Sequence, residues 1–114
     1  MGNAYVHPAV RSPKEMEYDA FSLVTRELVK SPRECADIRT ISAISRNNEL
    51  WTFLGAALAD PSNQLRDDLK SGLMSLSAFV LRHGHNVLVG RGNTNVLIDI
   101  NMAIMRGLRG VCDL

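Results

Sequence analysis

Few residues of this 114-residue chain have the type and spacing that metal or acid–base chemistry needs. His83 and His85 are separated by a single residue, whereas two metal ligands on one face of a helix are three or four residues apart. The two imidazoles therefore face different ways, and His7 is interpreted as a solvated side chain. We predict neither a metal site nor a cofactor.

Two polar segments have structural explanations instead of catalytic ones. Asp67 and Asp68 are adjacent in the first turn of a predicted helix, where negative charge interacts favourably with the helix dipole. Residues 90–93 are glycine-rich, but no predicted strand precedes them and no Gly-Lys-Ser/Thr follows, as a phosphate-binding loop requires. With no set of titratable groups for a mechanism, the protein is not expected to be an enzyme.

The composition favours one soluble domain. A net charge of +1, from 13 Lys and Arg against 12 Asp and Glu, provides no strong field for a polyanion or a membrane surface. Cys35 and Cys112 have no Cys-x-x-Cys spacing and are interpreted as reduced thiols. Residues 1–6 do not resemble a secretory signal, and no apolar run approaches the roughly 20 residues of a membrane span. We expect a cytoplasmic location.

Capping signals and apolar stripes predict an all-α fold, a small bundle of four to five mostly antiparallel helices. Ser-Pro-Lys-Glu at positions 12–15 is capping-box chemistry, so a helix of about five turns is predicted from Pro13. Residues 1–11 are predicted to be a flexible arm and residues 12–114 a single helical domain. Ser-Pro-Arg-Glu at positions 31–34 repeats the signal and predicts a second helix from Pro32.

The remaining boundaries follow from polar and glycine-rich segments. The second helix is predicted to break near residues 46–48 and to end at residues 60–63, with Ser62 or Asn63 capping the next helix. That helix should run for about six turns, with weak points at two internal glycines, and end at residues 90–92. A last helix is predicted after residues 93–95, closed by Gly110.

Seven segments in this order resemble a known family. They are Asn3-Ala4-Tyr5, Ser12-Pro13-Lys14-Glu15, Val24-Thr25-Arg26-Glu27-Leu28, Asn47-Asn48-Glu49-Leu50-Trp51, Asp60-Pro61-Ser62-Asn63-Gln64-Leu65, Leu97-Ile98-Asp99-Ile100-Asn101 and Ile104-Met105-Arg106-Gly107-Leu108. Their order is similar to that of the flagellar biosynthesis regulators called FlaF, found in alphaproteobacteria. The chain departs from the family pattern at Arg66, where proline is common, at Phe79, where tryptophan is common, and in a less acidic turn at residues 91–95.

The resemblance implies a small cytoplasmic protein that is needed for flagellin production and filament assembly, acting with flagellin and opposite a translational regulator called FlbT. A helical bundle with a groove could cover the apolar face of an amphipathic flagellin terminal segment before export. Candidate partner-binding residues are those where polar side chains neighbour apolar ones in the family-like segments. They are Asn48, Trp51, Asn63, Leu65, Asn101, Met105 and Leu108.

Alternatives remain open at this point. Trp51 is also interpreted as a core anchor, Asn63 as a helix cap and Asn101 as a residue that hydrogen-bonds within the bundle.

A flagellin-binding chaperone or adaptor is the first hypothesis for the function. A regulator that acts on flagellin mRNA, or through an FlbT-like partner protein, is the second, although dispersed charges and 5% aromatic content do not favour RNA binding. The third is a purely structural interaction module that uses the same groove, either as a homodimer or as a partner of the FlbT-like regulator.

Overall fold

The computed structural model describes residues 13–32 and 37–113, and the side chains of residues 17–32 and 37–108. These residues form four α-helices: α1 (Pro13–Lys30), α2 (Ile38–Ala59), α3 (Asp67–Leu88) and α4 (Asn95–Asp113). The predicted all-α bundle is confirmed, and the described residues contain no strand. The predicted arm, residues 1–11, and the two cysteines' side chains lie outside the described residues.

α1 begins at Pro13 as predicted and ends at Lys30, but the second helix does not begin at Pro32. Ser31 terminates α1, because its hydroxyl donates to the Leu28 carbonyl at 2.7 Å. α2 starts at Ile38, with Asp37 as its N-cap in extended geometry. The two good cap residues Ser31 and Asp37 lie six positions apart in the sequence. Ser31 ends the first helix, and Asp37 begins the second.

α2 continues through residues 46–48 without the predicted break. Asn47 is a poor helix former, but its side chain is fully buried and accepts a hydrogen bond from Asn101 at 2.8 Å. This tertiary contact outweighs the local preference.

The predicted capping of α3 by Ser62 or Asn63 is also wrong. Asn63 closes the end of α2, because its Nδ2 donates to the Ala57 carbonyl at 3.1 Å and its Oδ1 accepts from the Leu65 N–H at 3.0 Å. Arg66 occupies the N-cap position of α3 and makes no side-chain cap bond. The first-turn carboxylates Asp67 and Asp68 instead lie where they offset the positive end of the helix dipole.

α3 ends where the glycines predicted. The Arg91 N–H donates to the Asn86 carbonyl at 2.7 Å, and the Gly90 N–H donates to the Val87 carbonyl at 3.0 Å. This is a Schellman arrangement, which places Gly90 in the left-handed region with φ of 81°. α4 then begins beside Asn93, whose Oδ1 accepts from the Asn95 N–H at 2.9 Å. α4 continues past Gly110 to Asp113, so the predicted stop at that glycine is wrong.

Neighbouring helices run antiparallel. The Thr40 hydroxyl donates to the Pro32 carbonyl at 3.3 Å, which joins the start of α2 to the end of α1. Farther along, the rings of Phe21 and Trp51 meet edge to face, with centroids 5.6 Å apart. The Ser77 hydroxyl of α3 donates to the Trp51 carbonyl at 3.1 Å. α4 packs mainly against α1, and its backbone approaches α3 at far fewer positions.

The core lies inside this up-and-down bundle and is formed by apolar residues of all four helices. Its buried members are Phe21, Leu28, Ala43, Ile44, Trp51, Val80, Val87, Leu97 and Ile98.

Candidate helix-binding surface

Two of the predicted partner-binding residues lie at the centre of the bundle. Trp51 and Asn101 are both 0% exposed. The indole Nε1 of Trp51 donates to Asn101 Oδ1 at 2.9 Å, and Asn101 Nδ2 donates to Asn47 Oδ1 at 2.8 Å. Trp51 and Asn101 therefore join α2 to α4 through the core and have no surface to offer a partner in this fold.

The indole also determines how both amides are oriented. An indole N–H can only donate, so Asn101 must turn its oxygen toward Trp51 and its NH2 group toward Asn47. Asn47 must then present its own oxygen. Its Nδ2 is buried and has no hydrogen-bond partner among the described residues.

Asn48 lies half-buried at the contact between α2 and α3. A Cβ atom built on Gly84 of α3 would be 2.9 Å from Asn48 Oδ1 and 3.2 Å from the Cγ2 atom of Ile44. A glycine is needed at this position for the two helices to approach so closely. Asn48 Oδ1 is buried and has no hydrogen-bond partner within the described part of the chain.

The other predicted site residues lie away from Asn48. Asn63 and Leu65 belong to the connection between α2 and α3, and Leu65 is exposed. Met105 and Leu108 are half-buried on α4, where they pack against the core. The structure does not bring the seven residues together into one surface, and a partner-binding role for the exposed or half-buried ones stays a prediction.

An apolar concavity lies along α2 beside the end of α3. This α2 groove encloses about 730 Å³ and is lined by Ile41, Ser45, Asn48, Glu49, Thr52, Phe53, Ala56 and Leu88. Phe53 is 77% exposed and Ile41 is 47% exposed. Large apolar side chains in contact with water at one concave site are typical of a binding surface.

The α2 groove follows from the periodicity of α2. Ile44, Asn47, Trp51 and Leu58 face the core, whereas Ile41, Ser45, Asn48 and Thr52 follow each other at steps of four, three and four along the groove. Of the predicted residues, only Asn48 lines it. Phe53 was not among the residues predicted from the sequence. The sequence does contain a signal for its exposure, because Phe53 lies two positions from the core residue Trp51 and so faces another side of the helix.

Charged residues near the surface support local structure. Hydrogen bonds from the Arg39 side chain and from the Thr40 and Arg39 N–H groups lower the pKa of Asp37 below the ordinary 3.8. The backbone N–H and hydroxyl of Ser62 likewise lower the pKa of Asp60. Both carboxylates are therefore ionised at neutral pH and cap chain turns.

Among the residues that the structure describes, no three His, Cys, Asp or Glu side chains are grouped so that they could hold a metal ion. None of the described helices is both long and apolar enough to cross a membrane.

The fold and its surface define a small antiparallel four-helix bundle whose second helix presents an apolar groove to solvent. A family model described as Flagellar protein FlaF matches residues 3–108. The chain belongs to the FlaF family of flagellar proteins, as the order of sequence segments predicted. No curated protein matches the chain, and no solved structure matches it.

Proposed function

We propose that this FlaF-family protein acts in flagellum biogenesis as a cytoplasmic chaperone or adaptor that binds an amphipathic helical segment of flagellin in the α2 groove. The observation that carries the proposal is the exposure of Phe53 and Ile41 in one apolar concavity. The groove spans residues 41–56 of α2, which at 1.5 Å per residue is roughly 22 Å, or about four turns of a bound helix.

The spacing of the lining residues suits a helix as the occupant. Side chains at three- and four-residue steps form a ridge-and-groove surface into which a second helix packs its own i, i+3, i+4 and i+7 residues. Between the large side chains Ile41 and Phe53, the small residues Ser45 and Thr52 leave room for the partner's apolar side chains.

The exposed apolar area sets the affinity that can be expected. Complete burial of a large apolar side chain yields about 1.5–3 kcal/mol, so covering the exposed parts of Phe53 and Ile41 contributes roughly 2–4 kcal/mol. A micromolar complex needs about 8 kcal/mol. The apolar face of the flagellin segment must contribute a comparable part of the binding free energy. Moderate affinity suits a carrier that has to release its cargo.

The lining supports a protein partner in preference to flagellin mRNA. Its charged residue is Glu49, and a carboxylate repels the phosphates that dominate RNA affinity. An FlbT-like protein that presents an amphipathic helix is a rival occupant of the same groove, and titration with each protein separates the two.

The test is calorimetric titration of the full chain with flagellin and with flagellin lacking either terminal segment. We expect micromolar binding that is lost with one segment. Phe53→Ser should weaken binding about tenfold or more, because its ring is mostly in water and its loss removes contact area without opening the core. Leu23→Ser is the matched control, since Leu23 is 58% exposed on α1, outside the groove.

Three results would count against the proposal. Absence of binding by the unmodified chain refutes flagellin as the partner, and binding of an FlbT-like protein under the same conditions would assign the groove to the rival. Binding that Phe53→Ser and Leu23→Ser weaken equally would keep flagellin as the partner but refute the α2 groove as its site.

A further inference from the structure

The exposed face of α2 is complementary to a second copy of itself, and we propose that the free protein forms a two-fold symmetric dimer through this face. Ile38 is 76% exposed and lies one turn before Ile41, so the apolar surface extends beyond the α2 groove. The same face also carries small exposed residues, Ser42, Thr52 and Ala56. A face with both large and small residues can interlock with a copy of itself.

The register follows from two-fold symmetry. In an antiparallel pair of identical helices, every contact occurs twice and is centred on the symmetry axis. Suppose that the axis crosses the exposed face at the level of residue 47 along α2. It then places Ile38 opposite Ala56, Ile41 opposite Thr52 and Phe53 opposite Ser42. Each large apolar side chain then meets a small residue of the other copy, as close helix packing requires.

The pairing also agrees with the positions of these residues around the helix. At about 100° per residue, Ile41 and Thr52 lie on one edge of the face, and Ser42, Arg46 and Phe53 lie toward the other. A two-fold axis perpendicular to both helices keeps corresponding edges together. The paired residues are therefore on matching edges.

Charge complementarity selects the same register. Arg46 and Glu49 are both exposed on this face. The axis at the level of residue 47 places Arg46 of each copy opposite Glu49 of the other. Within the described part of the chain, neither residue takes part in an ion pair. A parallel arrangement would instead bring Glu49, which lies near the centre of the face, close to Glu49 of the other copy, and the like charges would repel.

The dimer covers the α2 groove and would compete with a helical partner for it. Its formation does not depend on flagellin binding, so the two proposals can fail separately. If both hold, the dimer protects the apolar surface from water until a partner helix displaces one copy, and the apparent affinity for flagellin falls as protein concentration rises.

The experiment is sedimentation equilibrium of the full chain over a wide concentration range, with charge variants at the two central positions. We expect the unmodified chain to approach twice the monomer mass. Arg46→Glu and Glu49→Arg should each weaken the dimer by about tenfold or more, because each creates two like-charge contacts. Arg82→Glu, an exposed change on α3, is the matched control and should leave the dimer intact.

Mixing the two charge variants gives the decisive result. The Arg46→Glu chain carries acidic side chains at both central positions, and the Glu49→Arg chain carries basic side chains at both. In their heterodimer the two central contacts therefore join opposite charges again, and the mixture should dimerise although each variant alone does not. A charge effect within one helix cannot produce this complementation, since each chain in the mixture keeps its own substitution.

The outcomes are separable. A monomer at all concentrations, a dimer insensitive to both charge variants, or a mixture that stays monomeric each overturns the proposed dimer. Flagellin binding to a chain that remains monomeric would overturn only the dimer. A dimer with the expected charge pattern, in a chain that ignores flagellin, would overturn only the proposed function.

Discussion

Replacing Asn101 with alanine should be among the most destabilising single changes in the bundle, because the Asn101 side chain forms hydrogen bonds with two buried partners at once. The substitution leaves Trp51 Nε1 and Asn47 Oδ1 without hydrogen bonds, and both residues are 0% exposed. A buried polar group that loses its partner costs about 1–3 kcal/mol, so the expected loss is about 2–6 kcal/mol. Since small domains have only about 5–15 kcal/mol of stability, the variant should be marginally folded at room temperature.

The assay is urea denaturation followed by far-ultraviolet circular dichroism, which reports on the helices and does not need the sole tryptophan. A double-mutant cycle with Trp51→Phe isolates the contact, because phenylalanine removes the indole N–H that Asn101 satisfies. Asn101→Ala should therefore cost about 1–3 kcal/mol less in the Trp51→Phe background. A loss below about 0.5 kcal/mol for Asn101→Ala, or strictly additive effects in the cycle, would refute a central role for this polar chain.

Three further predictions concern backbone positions, a fourth concerns a helix cap, and all can be followed by the same denaturation assay. Gly72→Ala should stabilise the protein by up to about 1 kcal/mol through helix propensity, because nothing lies within 4 Å of the added Cβ. Gly84→Ala should instead destabilise it by about 1 kcal/mol net, since its Cβ would be 3.2 Å from the Cγ2 atom of Ile44; equal effects at the two glycines would contradict this. Gly90→Ala should cost about 1–2 kcal/mol, because φ at that residue is 81°, and a neutral result would show that the turn can relax. Asp37→Ala should lower the urea midpoint at pH 7. The difference between the midpoints of the two proteins should shrink as pH falls below 3.8, because a lowered pKa means that the cap stabilises the fold only while the carboxylate is ionised. A difference that is unchanged at pH 2 would argue against a charged cap.

The boundaries that the sequence predicted well are those set by backbone chemistry alone. Pro13 begins α1, since proline is favoured in the first turn of a helix. Gly90 ends α3, since only glycine adopts positive φ at little cost. The start of α2 was predicted wrongly because Ser31 and Asp37 are both good cap residues. Which of them caps a helix depends on tertiary contacts that local sequence does not contain.

The site was harder to predict than the fold, because hydrogen bonding inverts the ordinary placement of residue types on α2. Asn47 and Trp51 are buried, and their side chains find a hydrogen-bond partner on α4 only after the bundle has assembled. Phe53 is exposed although it is as apolar as any core residue. From periodicity alone, a stripe that contains Asn47 looks like the outer face.

The exposed apolar face of α2 is therefore not explained by folding. An exposed phenylalanine or isoleucine gains nothing from the core, so Ile38 and Phe53 contribute little to the stability of the monomer. Such side chains lower the free energy only when another surface covers them. Binding and stability should accordingly separate on this helix, because a substitution at Phe53 removes contact with a partner while the Trp51–Asn101 bond holds the fold from the opposite side.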